Sequence, residues 1–202
     1  MSADGLSWEK LVDELRPLGD AMRTRVPERL RSDPQTMAES MRLLLAGLAR
    51  AGSDALVGDR RHPIFVPELN IAQNIFQPNA DTIYKSAIIE KGGSYLLRGD
   101  RGTVRMIILA QMGPDTLRTG QHSPLLGQTD FDDLTVGEDG SFELVISPER
   151  PAGYTGNWAA LDPQCEKIMV RIVSCDWGAE REPRFGIARL DVDDAKGRPS
   201  AD

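Results

Sequence analysis

The chain has 202 residues, of which 40% are hydrophobic, 27% charged and 5% aromatic, a balance that excludes the fibrous, disordered and membrane-spanning classes. Its formal charge of −7, with no dense Lys/Arg run, makes nucleic acid and anionic membrane surfaces poor partners. A chain of this size buries roughly 70% of its unfolded surface, so its core needs neither metal nor disulfide.

Met1 to Trp8 carries Asp4 and no apolar run, so no secretory signal is read and a cytoplasmic location is expected. Trp8, Leu11, Leu15, Leu18 and Met22 then recur at helical spacing, with Ser7 as N-cap and Pro17 as a point where the helix bends or stops. A second helix is predicted from an Asp33 cap and Pro34 in the first turn. Its apolar stripe of Met37, Met41, Leu44, Leu45 and Leu48 runs to about Gly52.

After Gly58 the texture changes to short β-prone runs. Strands are predicted at 64–66, 82–90, 94–97, 103–109, 142–147, 168–174 and 187–192. The turns Lys91-Gly92-Gly93, Gly99-Asp100-Arg101-Gly102 and Glu138-Asp139-Gly140 offer the positive φ that tight hairpins require. No helical pattern alternates with these strands, so the expected fold is mainly β: an antiparallel β-sandwich or jelly roll with two N-terminal α-helices. The expected division is a helical segment over 1–60, the β domain over 61–192 and a flexible tail over 193–202.

Chemical signatures are mostly negative. His62 and His122 are the only histidines, and neither has a second His or Cys at ligand spacing, so no metal site is assigned. Phosphate-loop, dinucleotide and nucleophile-elbow motifs are absent, so no cofactor is assigned. Cys165 and Cys175 flank an extended run that would hold their Cα atoms about 30 Å apart, so both are read as free thiols.

The polar stretch from Asn70 to Lys85 is unusual, because Asn, Gln and Asp are poor strand residues. It reads either as a loop held by side-chain-to-backbone bonds, the safer choice, or as a polar site over an apolar floor. Alternation puts Asp81, Ile83, Lys85, Ala87 and Ile89 on one face, with Thr82, Tyr84, Ser86 and Ile88 on the other. Lys85, Arg105 and Arg171 each alternate with apolar residues. If those faces point inward, three cations need carboxylates or an anionic ligand; base rates favour the outward alternative. Trp177 is read as core, while Trp158, beside Gly156 and Asn157, is equally suited to core or to the wall of a cavity.

The segments PNADTIYKSAII, GGSYLLRGDRGTVR, GNWAALDP, IMVRIVSCDW and IARLDV, in that order, resemble the bacterial families known as domains of unknown function 1254 and 1214. Asn79, Asp81, Thr82 and Tyr84 form the most characteristic cluster of the likeness. The resemblance implies a jelly-roll-like β-sandwich with an internal cavity, in a single-domain relative of longer two-domain proteins. It implies no reaction.

The expected function is therefore to bind, or act on, a small hydrophobic molecule bearing an anionic or carbonyl group. As an enzyme it would be a cofactor-independent lyase, isomerase or hydrolase, with Asp81 as base, Tyr84 as oxyanion donor and Lys85 as the group meeting substrate charge. Asn79, Arg105, Trp158 and Arg171 would contact substrate. The alternative is a non-catalytic binding or assembly module, with the helical stripe forming a homodimer contact.

Overall fold

The structure is a computed structural model that describes residues 7–70, 79–114 and 122–192. The expected tail over 193–202 and the part of the polar stretch at 71–78 lie outside the described residues. No helix among the described residues is long and apolar enough to cross a membrane.

The first predicted helix is two helices, α1 (Trp8–Leu15) and α2 (Leu18–Arg25), separated at Pro17. Proline has no N–H for the i→i−4 ladder, and its ring clashes with the carbonyl one turn back. Ser7 caps α1 by accepting from the Lys10 amide, as expected. Helix α3 (Pro34–Val57) opens with Asp33 accepting from the Thr36 amide and runs through Gly52 to stop at Gly58. An isolated helical glycine costs only about 1 kcal/mol, too little to end a helix that packs elsewhere.

Nine strands follow among the described residues: β1 (Val66–Pro67), β2 (Thr82–Ile88), β3 (Tyr95–Asp100), β4 (Met106–Met112), β5 (Leu125–Asp130), β6 (Ser141–Ser147), β7 (Asn157–Ala160), β8 (Lys167–Val173) and β9 (Arg184–Arg189). They form a five-stranded sheet in the order β1-β2-β8-β4-β5 and a four-stranded sheet in the order β7-β6-β3-β9. Neither β5 nor β7 is among the predicted strands, and β9 begins three residues before its predicted start. All pairings are antiparallel except β6 with β7, which run parallel, so the expectation of a purely antiparallel arrangement is corrected there. The chain leaves β6 at Ser147 and loops back through Pro148, Pro151 and Gly153 to re-enter alongside in the same direction, a connection too long for a two-residue hairpin. Gly140, at φ +83°, closes the turn before β6 as its sequence predicts.

One apolar cluster draws on both sheets. Ile107, Leu109, Ile168, Val170 and Ile172 come from the larger sheet, and Tyr95, Leu97, Phe142, Leu144 and Ile146 from the smaller. Each is at most 4% exposed, so among these described residues the space between the sheets is filled rather than open to a guest. Leaving about 300 Å³ empty there would cost roughly 7 kcal/mol, which explains the choice of large aliphatic side chains. The inward faces follow strict alternation, and that alternation sends Met169, Arg171 and Val173 to the opposite face of β8.

Helix α3 packs against α2 and reaches that opposite, outer face through Arg50, and its predicted stripe is covered only in part, with Met37, Leu44 and Leu48 half-buried. Met41 is 44% and Leu45 59% exposed, whereas the buried positions are Ala46 and Arg50. Arg50 donates from Nε to Asp54 at 2.9 and 3.0 Å, and from Nη2 to Glu68 Oε1 at 3.4 Å and Ser86 Oγ at 3.3 Å. Lys167 Nζ completes the cluster at 3.0 Å from the same Glu68 oxygen.

Candidate functional site

The outer face of the five-stranded sheet is built in rows. Antiparallel register aligns Tyr84 with Arg171, Arg171 with Ile108, and Ile108 with Asp130; the next outward row aligns Ser86, Met169, Ala110 and Gln128. Directly opposed residues of neighbouring strands hold their Cβ atoms about 4.5–5.5 Å apart, so Tyr84 and Arg171 are neighbours by construction.

Beside Arg171, over β8, β4 and β5, lies a cleft of about 330 Å³. Ala110, Met112, Met169 and Leu125 give it an apolar floor, and His122, Ser123 and Pro124 form its rim. The Ser123 hydroxyl is fixed by donating to Gly113 O at 2.9 Å. His122 Nδ1 lies 3.0 Å from Ser123 O. A carbonyl can only accept, so Nδ1 carries the proton in that contact and Nε2 is left for other partners.

Two cations project from this face of β8, and their surroundings differ. Lys167 is paired with Glu68, and Glu68 is shared with Arg50, so Arg50 and Lys167 are offset by Asp54 and Glu68. Burial alone would push the Glu68 carboxyl up, but the charges of Lys167 and Arg50, with hydrogen bonds from Lys167 and Ser86, hold it below its ordinary value. Arg171 makes no ion pair among the described residues, and its buried Nε has no hydrogen-bond partner. The acid in its own row, Asp130, is two strands away, about 10 Å at ordinary strand spacing.

The remaining sequence candidates are dispersed. Asn79 caps the turn before β2, its Oδ1 accepting from the Asp81 amide at 2.9 Å. Asp81 is exposed at that turn. Lys85 projects from the other face of β2, toward the core side, with Nζ 5.7 Å from the centre of the Phe185 ring. Arg105 is exposed before β4 and 3.6 Å from Asp132. Asp81, Tyr84 and Lys85 thus do not converge, because alternation parts the latter two and Asp81 stays in the turn.

Trp158 is half-buried on β7, with Nε1 donating to Ser147 Oγ at 3.0 Å, and lines a different cleft of about 520 Å³ between β5 and β7. Trp177, expected in the core, is 51% exposed, because its segment leaves β8 into a surface turn held by Asp176 and Glu180. A third cavity, about 750 Å³, lies between Arg98, Glu143 and the loop carrying Tyr154. There Asn157 is fully engaged with Thr135 and the Glu143 carbonyl.

Met169 shows in the sequence by its alternation with Arg171. His122 and Ser123 carry no such signal, since they sit in a loop before a strand that the sequence hides.

A mostly β chain of two sheets with a helical leader is what these elements define. A solved structure of an uncharacterized protein from Burkholderia cenocepacia is similar to it over 96% of this chain, with a TM-score of 0.82 and 25% identity. The chain spans about half of that protein, 52% of its length. A second solved structure, from Vibrio parahaemolyticus, aligns with 92% of this chain and 46% of its own at a TM-score of 0.41 and 12% identity. No protein-family model and no curated protein matches the chain.

Proposed function

We propose that the protein binds a small, largely apolar molecule carrying an anionic or carbonyl group, seated on the outer face of the five-stranded sheet beside Arg171. One observation carries the reading: a half-buried guanidinium without an ion pair among the described residues borders an apolar cleft. Desolvating a cation without a counter-charge is costly, and an incoming acceptor offsets that cost. Tyr84 pairs with Arg171 on the side away from the cleft. The jelly-roll form of β-sandwich belongs to this reading too, supported by the single core common to both sheets and by the likeness to the families of unknown function 1254 and 1214. Acid–base catalysis by Asp81, Tyr84 and Lys85 gains no support from their separate positions.

The assembly alternative has its own observation. On the predicted stripe of α3, Met41 is 44% and Leu45 59% exposed, which leaves apolar surface that a second copy could cover.

A thermal-shift screen against aliphatic carboxylates, aromatic acids and lipid-like carbonyl compounds tests the ligand reading. A ligand at a hundred times its Kd stabilises the folded state by about 2.7 kcal/mol, which raises Tm by roughly 5–10 °C in a chain of this size. Absence of any shift across all three classes, with a cooperative unfolding transition present, would overturn it.

A further inference from the structure

We infer that the ligand of the Arg171 cleft is a monoanionic carboxylate with a short apolar tail, an inference that rests on the ligand-binding reading above. The charge count on this face selects the head group. Arg50 and Lys167 are matched by Asp54 and Glu68 within 3.4 Å, which leaves Arg171 as the uncompensated cation of the described outer face. One guanidinium balances one negative charge. A dianion would bring a second charge with no cation to meet it, onto a protein whose formal charge is already −7.

A neutral carbonyl or amide accepts hydrogen bonds from Arg171 but leaves its charge uncompensated. A carboxylate does both, and guanidinium and carboxylate match in planar, two-pronged geometry.

The floor selects the tail. Ala110, Met112, Leu125 and Met169 offer no charge and no side-chain hydroxyl or amide, so the part of the ligand lying on them gains by being hydrocarbon. The two methionines adapt to tails of differing shape. At the ~30 Å³ that each liquid water occupies, a cleft of 330 Å³ holds about ten non-hydrogen atoms. Medium-chain fatty acids and simple aromatic acids are of this size; long-chain lipids are not.

Titration calorimetry on the full chain decides the matter with three probes that share one tail: hexanoate, hexanamide and hexyl phosphate. The expected order places hexanoate at least tenfold tighter than hexanamide, and hexyl phosphate weaker than hexanoate at a pH where it is a dianion. Equal binding of hexanoate and hexanamide overturns the carboxylate inference and leaves ligand binding intact. Tighter binding of hexyl phosphate overturns the monoanion. Failure of all three overturns the inference, while the reading beneath it stands or falls with the three-class thermal-shift screen.

Arg171→Met, close in length and uncharged, is expected to abolish the preference for hexanoate, weakening hexanoate at least tenfold more than hexanamide, which loses only hydrogen bonds. A retained preference in that variant assigns recognition to another residue and overturns the inference. The comparison among probes on the unmodified protein stands even if the variant does not fold.

Discussion

Arg50, in the C-terminal third of α3, reaches the side chain of Glu68 across 18 positions of sequence and is only 6% exposed, so a single guanidinium fastens the helical leader to the outer face of the larger sheet. Its hydrogen bonds to Asp54 and the charge of Glu68 outweigh burial and keep it firmly protonated. Replacing Arg50 with Met leaves Glu68 and Asp54 with one cation, Lys167, between them. The expected cost is about 3–5 kcal/mol in urea unfolding, as for other buried pairs broken from one side. Adding Glu68→Gln to Arg50→Met should cost clearly less than the sum of the two single changes, since the second removes the charge that the first strands. Strict additivity would show that the two side chains do not act together.

The same cluster sets a pH dependence. Glu68 is held below its ordinary value of 4.5 in the folded protein, so the folded state binds the proton less readily than the unfolded chain does. Stability from this group is therefore fully present above the unfolded value and is lost as pH falls through the lower folded value. Acid unfolding should steepen from about pH 5 downward, and Glu68→Gln should flatten the slope of unfolding free energy against pH in that range. Asp33, Asp100, Asp139, Glu180 and Asp191 are lowered too, and they contribute a residual slope that Glu68→Gln leaves in place. An unchanged slope in Glu68→Gln would remove Glu68 from the account.

Much of this architecture is legible before any coordinates, and the failures have physical reasons. Strand β8 declares itself as a short run rich in β-branched residues, Ile168, Val170, Ile172 and Val173. The sequence LLGQTD of β5 and NWAA of β7 have little alternation and weak β-formers, and both lie at sheet edges where pairing on one side suffices. Which face of β8 points inward is not legible, since Met169 and Val173 are apolar as well. That ambiguity turns an outward Arg171 into a candidate for an inward one and moves the expected site from outside the sheet to the filled space between sheets. Arg50 is hidden for another reason. Apart from Asp54 one turn on, its partners Glu68 and Ser86 lie 18 and 36 positions away, and no local pattern links them to the helix.

Gly99 lies within β3, where the backbone is paired on both sides, to Phe142 and Phe185. A Cβ there would collide with the Arg184 carbonyl oxygen and sit 2.6 Å from the Phe185 Cα, both backbone atoms that cannot swing aside. Gly99→Ala is expected to force β9 away from β3 and to destabilise the protein by about 1–3 kcal/mol. Gly186, across the same strand pair, meets nothing within 4 Å, so Gly186→Ala should change stability by no more than about 0.5 kcal/mol. Urea midpoints of the two variants check this, and equal losses would refute a role for close strand approach.

The two cysteines should react very differently. Burial pushes the Cys165 thiol up to about 11, with Asp162 and Glu166 adding to the effect against two backbone hydrogen bonds. At pH 8 only about one molecule in a thousand then carries a thiolate there, and no solvent reaches it. Cys175 is exposed just past the end of β8. Ellman's reagent is expected to modify a single thiol per native chain, and the second only when denaturant opens the core. Cys175→Ser should remove the native reaction entirely and leave the slow one, whose rate then reports opening of the sheet around β8. Rapid reaction of both thiols under native conditions would mean that the core near Lys167 is not closed.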